Sequence, residues 1–145
     1  MAHFETTLDT RAKADVAFDY LADFSNAREW DPSVTAARSI GSEPIGPGTR
    51  FALELALAGR TLHFEYEIQR YEPNRLLVFC SESERLRSLD TIDIQARSWG
   101  CRVRYDADLR LAGGYYLFDP IVHLAFQVSG ARSARGLAKA LDALG

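Results

Sequence analysis

From Pro120 almost to the last residue the chain reads as one long helix that is apolar on more than one side. Pro120 suits a first helical turn, where its missing N–H is not needed. In the first half only Asp119, His123 and Gln127 are clearly polar, and they recur at i, i+4 and i+8. Residues four apart share a helix face, so these three predict one narrow polar strip. Phe118, Ile121, Val122, Ala125 and Phe126 fill the opposite side. In the second half the apolar set becomes Ala134, Leu137, Ala138, Leu141 and Leu144, rotated well away from the first. Ser129-Gly130-Ala131 lies at the change, which predicts a bend or break there. A helix this apolar needs a large surface to lie on. The rest of the chain reads as strands, so that surface must be a sheet.

The strands announce themselves by alternation. His3 to Thr10 places Phe4, Thr6 and Leu8 on one side and reads as a first strand. Ala14 to Phe24 then switches to helical period, with Val16, Ala17, Tyr20, Leu21 and Phe24 forming an apolar face. Asp15 sits in the first turn, where the helix dipole favours a carboxylate. Ser25-Asn26 breaks or recaps this helix, Ala27 to Trp30 adds one turn, and Pro32 ends it. Strand then follows strand from Val34. Phe51, Leu53, Leu55 and Leu57 alternate with small or polar neighbours, and Ala58-Gly59 supplies a tight turn. Leu62, Phe64, Tyr66 and Ile68 give the cleanest half-buried pattern. Leu76 to Ser81 is more uniformly apolar. Leu86 to Arg97 puts Ser88, Asp90, Ile92 and Ile94 on one face, and Cys101 to Leu111 alternates Val103, Tyr105, Ala107 and Leu109 with charged residues.

This order predicts an α+β domain. About six consecutive strands after the helices make an antiparallel meander, the whole sheet of about seven strands twists and curls, and the terminal helix covers its concave face. At 145 residues, with 47% hydrophobic and 26% charged content, one domain spanning 1–145 is expected. The net charge of -3 gives no general attraction to nucleic acid, and the fifteen Arg are interleaved with acids rather than clustered. Pro120 to Ala131 is too short and too polar to insert in a membrane. The start Met-Ala-His-Phe-Glu carries no apolar targeting core, so a cytoplasmic location is expected. Cys80 and Cys101 have neither metal-ligand spacing nor a disulfide framework, and read as reduced buried thiols.

Several stretches carry a family likeness. Phe18-Asp19-Tyr20-Leu21-Ala22-Asp23-Phe24, followed by Arg28-Glu29-Trp30-Asp31-Pro32-Ser33-Val34, resembles the opening of the polyketide cyclase/dehydrase and lipid-transport family. Pro44 to Phe51, Leu89-Asp90-Thr91, Leu109 to Gly113 and Leu117-Phe118-Asp119-Pro120 resemble its later hairpins and the start of its last helix. That family belongs to the START-like, Bet v 1-like superfamily (SRPBCC). The resemblance implies the helix-grip fold, in which a curved sheet wraps the last helix. It also implies a role among lipid, hormone or polyketide binding, aromatic-ring cyclisation and regulation of partner proteins. Fold does not choose among these.

The bulky inward residues of the strands face a helix that is small around Ser129, Gly130, Ala131, Ser133, Ala134 and Gly136. That mismatch predicts a leftover apolar cavity; the alternative is an interior filled by aromatic rings. The expected ligand is a small hydrophobic molecule, bound mainly by apolar burial at about 25 cal/mol per Å². Candidate ligand-binding residues on the strands are Phe51, Leu53, Leu55, Phe64, Tyr66 and Phe79, with Asp90, Ile92 and Tyr105 further on. Trp30 at the mouth and Phe118, Val122 and Phe126 on the helix complete the set. Tyr66 and Tyr105 each offer a ring with a hydroxyl tip; ordinary core packing is the competing reading.

Asp90 is the candidate catalytic residue, because a carboxylate among apolar side chains has a raised pKa and can work as a general acid or base. Against this, a place near a strand end would give it an Arg partner or water. A cyclase or dehydratase acting in the same cavity is therefore the alternative to a binding protein, and a partner-binding regulator with a vestigial cavity is a further one. His63 falls on the polar face, and His123 pairs most simply with Asp119 one turn away. No metal-ligand cluster, phosphate loop or Ser-His-Asp order is present, so no cofactor or metal is expected. A monomer or homodimer fits these features.

Overall fold

The computed structural model describes residues 2–41, 43–57, 59–84, 86–111 and 119–145; the side chains of Leu111, Asp119, Ile121 and Val122 fall outside that description. The elements run β1 (Ala2–Thr10), α1 (Ala14–Ala22), a single 3₁₀ turn (Phe24–Asn26), α2 (Ala27–Trp30), β2 (Val34–Ile40), β3 (Arg50–Leu57), β4 (Arg60–Glu72), β5 (Leu76–Glu82), β6 (Leu86–Arg97), β7 (Gly100–Leu111) and α3 (Asp119–Asp142). The strands form one curved antiparallel sheet in the order β1-β7-β6-β5-β4-β3-β2.

The sheet is a meander only from β2 onward. β1 pairs with β7, from Ala2↔Leu109 to Thr10↔Cys101. The helical pair α1–α2 therefore carries the chain from one edge of the sheet to the other. Lys13 precedes α1 in extended backbone, and the Asp23 side chain accepts from Ser25 N (3.2 Å), capping the 3₁₀ turn. The β4–β5 turn places Asn74 at φ 64, a left-handed conformation that Asn tolerates better than most residues. Gly100 opens β7 at φ 152, where a Cβ would meet the Thr10 carbonyl and Arg11 backbone.

The inward parity expected of the strands holds. Phe51, Phe64, Tyr66, Phe79, Ile92 and Tyr105 are all buried. On the helix the expectations need correcting. α3 is helical straight through Ser129, Gly130 and Ala131, with no break. Gly130 serves close approach instead: a Cβ there would run into the Phe4 ring. Gly136 does the same against the Trp30 carbonyl. The polar strip meets the sheet at Gln127. Gln127 donates from its side-chain amide to the His3 carbonyl of β1. Leu124 is instead 66% exposed and Val128 is exposed too. The helix is thus rotated to put Gln127 toward the sheet edge, where a part-buried backbone acceptor rewards it.

In its second half α3 buries Leu137 and Leu141 completely. Its end is tied down where Thr10 Oγ1 donates to Asp142 Oδ1 (2.8 Å), joined by Arg11 N (3.2 Å). No described helix is long and apolar enough to cross a membrane.

Candidate functional site

The interior has two parts. Beneath α1 and the 3₁₀ turn, aromatic rings fill the sheet's concavity. Phe24 stacks on Phe79 with centroids 4.1 Å apart and meets Tyr66 edge-on at 5.1 Å. Phe51 contacts both Phe24 and Phe79. Beneath α3 the rings stop. There Ser129, Gly130, Ser133 and Ala134 face Leu55, Leu57, Leu62 and Phe64 across a cavity of about 80 Å³. One water needs roughly 10–15 Å³ of such space, so this is more than a packing flaw. It is well below the ~300 Å³ at which drug-sized pockets begin.

Seven of the expected residues line this cavity: Trp30, Leu55, Phe64, Tyr66, Asp90, Tyr105 and Phe126. Phe51, Leu53, Phe79 and Ile92 are buried in the core away from it. Phe118 lies outside the described residues, as does the side chain of Val122. Lining residues that the sequence did not single out include Phe4 and Thr6 of β1, Asp31 and Ser33 of the α2–β2 connection, and Ser88 of β6. Parity had put Phe4 and Thr6 on one face and Ser88 beside Asp90, so a signal for those three existed. Asp31 sits in a turn before Pro32, where no periodicity reports direction.

Asp90 lies mid-strand and is 7% exposed. It has no Arg partner among the described residues. Tyr105 Oη donates to its Oδ2 (2.5 Å), and Ser88 Oγ donates to its Oδ1 (3.3 Å). Tyr66 Oη and Ser88 Oγ are hydrogen-bonded at 2.8 Å, where either hydroxyl can donate, so four side chains from three strands form one buried chain of hydrogen bonds. Burial pushes the Asp90 carboxyl up to about 7, against the lowering effect of the Tyr105 and Ser88 hydrogen bonds. Burial and then the Asp90 charge push both tyrosine hydroxyls well above their ordinary range. Near neutrality Asp90 thus exists in both forms. Ionised, it accepts the Tyr105 hydrogen bond. Protonated, it can donate to the Tyr105 oxygen and free that hydroxyl to point at a ligand acceptor.

A second polar group also lines the cavity. Asp31 Oδ1 accepts from Ser33 N (2.9 Å), Ser33 Oγ (2.7 Å) and Ser133 Oγ (2.7 Å). The last contact fastens α3 to the α2–β2 connection. Ser133 Oγ also lies 2.9 Å from the Ser129 carbonyl, and a hydroxyl with one proton favours the charged acceptor. Trp30, one residue earlier, packs edge-on against Tyr105 at 5.6 Å.

The other candidates sit outside. His63 is exposed on the convex face, 3.4 Å from Glu54. The β1–β7 pairing gathers His3, Glu5 and Asp106 on that face as well, a cluster that sequence spacing did not show. His3 Nε2 lies 3.2 Å from Asp106, and Arg104 pairs with Glu5 at 2.8 Å, so these groups are engaged with one another. Cys80 and Cys101 are buried free thiols, and burial raises the Cys101 thiol.

A curved antiparallel seven-strand sheet with a C-terminal helix, and short helices after the first strand, is the START/Bet v 1-like fold. The chain belongs to the polyketide cyclase/dehydrase and lipid-transport family, whose model matches residues 1–144. Similar solved structures include a START superfamily protein from Mycobacterium smegmatis, at 13% identity and TM-score 0.78 with 100% of both chains covered. A protein from Thermus thermophilus is 17% identical, with TM-score 0.78 over 98% of this chain and 97% of its own. The Zhui aromatase/cyclase from a Streptomyces species is 13% identical, with TM-score 0.74 over 97% and 93%. At these identities the likeness is one of fold. No curated protein sequence matches the chain.

Proposed function

We propose that the protein binds one small, largely apolar molecule in the cavity between the sheet and α3. The observation that carries this is the unfilled apolar space beside a buried, fully hydrogen-bonded Tyr66–Ser88–Asp90–Tyr105 chain. Apolar walls supply affinity through desolvation, and the Tyr105 hydroxyl orients the ligand's polar atom. The family match to lipid-transport and cyclase proteins supports the same reading. Titration with an environment-sensitive apolar dye tests it. Saturable binding is expected, and Tyr105→Phe should weaken a carbonyl-bearing ligand about tenfold, the scale of one lost buried hydrogen bond. Unsaturable dye binding, or a Phe variant that binds such a ligand equally well, counts against the proposal.

A second reading, a cyclase or dehydratase acting in the same cavity, is favoured by one observation. Asp90 combines deep burial with a carboxyl that titrates at about 7, the property a general acid–base group needs at neutral pH. The fold is shared with an aromatase/cyclase. Turnover of a poly-β-ketone test substrate that vanishes in Asp90→Asn, with ligand binding retained, is the expected result. Binding with no turnover in the parent protein rules this reading out.

A further inference from the structure

The charges around the cavity say more about the ligand than its size does. Two carboxylates line it, Asp90 on β6 and Asp31 at the α2–β2 connection. Among the described lining residues there is no Lys, Arg or His. Arg87, Arg104 and Arg110, with His3 and His63, adjoin strand-borne lining residues in sequence and alternate to the opposite face. Arg104 is paired there with Glu5. Alternation keeps such side chains out of the interior.

Asp31 is also built to meet a donor. Its three hydrogen bonds converge on Oδ1, and among the described residues none reaches Oδ2. That anchoring fixes the carboxylate from both sides, through its own turn and through α3. A rigid half-buried carboxylate with one unused oxygen on an apolar cavity is a poor neighbour for an anion and a good one for an N–H or O–H group.

We propose that Asp31 is a specificity-determining residue, and that the cavity takes a small apolar amine, with its nitrogen at Asp31, in preference to a carboxylic acid of the same shape. This inference rests on the cavity-binding reading above and adds the ligand's charge class to it. The two poles then divide the work. Asp31 receives the ligand's donor, and the Tyr105 hydroxyl meets an acceptor where the ligand has one. An amine replaces its water shell with a fixed anion, whereas an ionised acid loses its shell with no cation to receive it. At about 80 Å³ the cavity is smaller than the roughly 150 Å³ of an engineered apolar cavity that holds one benzene, which excludes a long acyl chain and requires the lining side chains or α3 to give way before a single ring enters.

The test is a matched trio that differs only in the polar group: benzylamine, benzyl alcohol and benzoate, titrated into the full chain at pH 7 by calorimetry and by NMR shift mapping. Benzylamine is expected to bind at least about tenfold more tightly than benzoate, with the alcohol between them. Asp31→Asn should shrink the amine-to-acid ratio about fivefold or more while leaving the alcohol within about twofold. Ser133→Ala, which keeps the carboxylate but removes one of its anchors, gives a milder version of the same change and serves if the Asn variant does not fold. Benzoate binding as tightly as benzylamine overturns the charge assignment alone and leaves the cavity-binding reading standing. An amine-to-acid ratio that survives Asp31→Asn overturns the role of Asp31. Binding of none of the three, in a protein that also fails to take up the apolar dye, overturns both.

Discussion

The two halves of the interior share one sheet and one rule of inward parity, yet one half is solid and the other is hollow. The difference comes from the layer above. Over β3, β4 and β5 the 3₁₀ turn delivers Phe24, which stacks on Phe79 and touches Phe51 and Tyr66. Over the other end of the sheet, α3 delivers Ser129, Gly130, Ser133 and Ala134. β3 shows the contrast within a single strand: Phe51 belongs to the filled half and Leu55 to the cavity wall. A cavity here is therefore a property of the lid residues, not of the strands that wall it.

Three changes should break or sharpen that contrast. Phe24→Ala carries the largest expected effect. It removes a ring packed on three others, so denaturant unfolding should show a loss of about 3–5 kcal/mol. A loss under about 1 kcal/mol would mean that the filled half is no tighter than the hollow one.

Next comes pH. Unfolded, the Asp90 carboxyl has an ordinary value of 3.8; folded, burial raises it to about 7. Between those values the folded protein holds a proton that the unfolded chain has lost. Asp90's contribution is therefore intact below the lower value and fades as pH rises through the upper one. Up to about 4 kcal/mol should be lost across that window, and Asp90→Asn should flatten the slope. Stability of the parent protein that rises steadily over the same range, unchanged in Asp90→Asn, contradicts the placement of a buried protonated acid.

The smallest effect on stability is expected for Ala134→Leu. Adding bulk where space exists should move stability by less than about 1.5 kcal/mol in either direction, while abolishing uptake of the apolar dye. A penalty matching that of Phe24→Ala would show this half to be as full as its neighbour.

Much of the frame was legible in the sequence, because period-two alternation fixes inward and outward faces without knowledge of the fold. Ser88, Asp90, Ile92 and Ile94 are all buried, as that pattern requires. The meander of the strands after α2 was legible too, whereas the place of the first strand in the sheet was not. Nothing local to Ala2–Thr10 says that its partner is β7 rather than β2, since strand pairing over long separations is decided by the whole sheet. Gly130 reads in sequence as a place to bend, whereas its lack of a side chain makes room for Phe4. Both uses of glycine leave the same letter. Asp31 escaped because a turn has no period, and its approach to Ser133 depends on where α3 finally rests. Which rings fill and which rings wall was likewise hidden, since Phe51 and Leu55 have the same parity on the same strand.

Because the first strand zips onto the seventh, and Asp142 of α3 grips Thr10 and Arg11, β1 is fastened to the last strand and the last helix. During synthesis β1 leaves the ribosome long before its partner exists. It must wait as a lone ribbon until β7 has emerged. Closure of so distant a pairing is intrinsically slow. The hollow compartment therefore comes into being as one of the last acts of folding, when α3 settles and β1 meets β7.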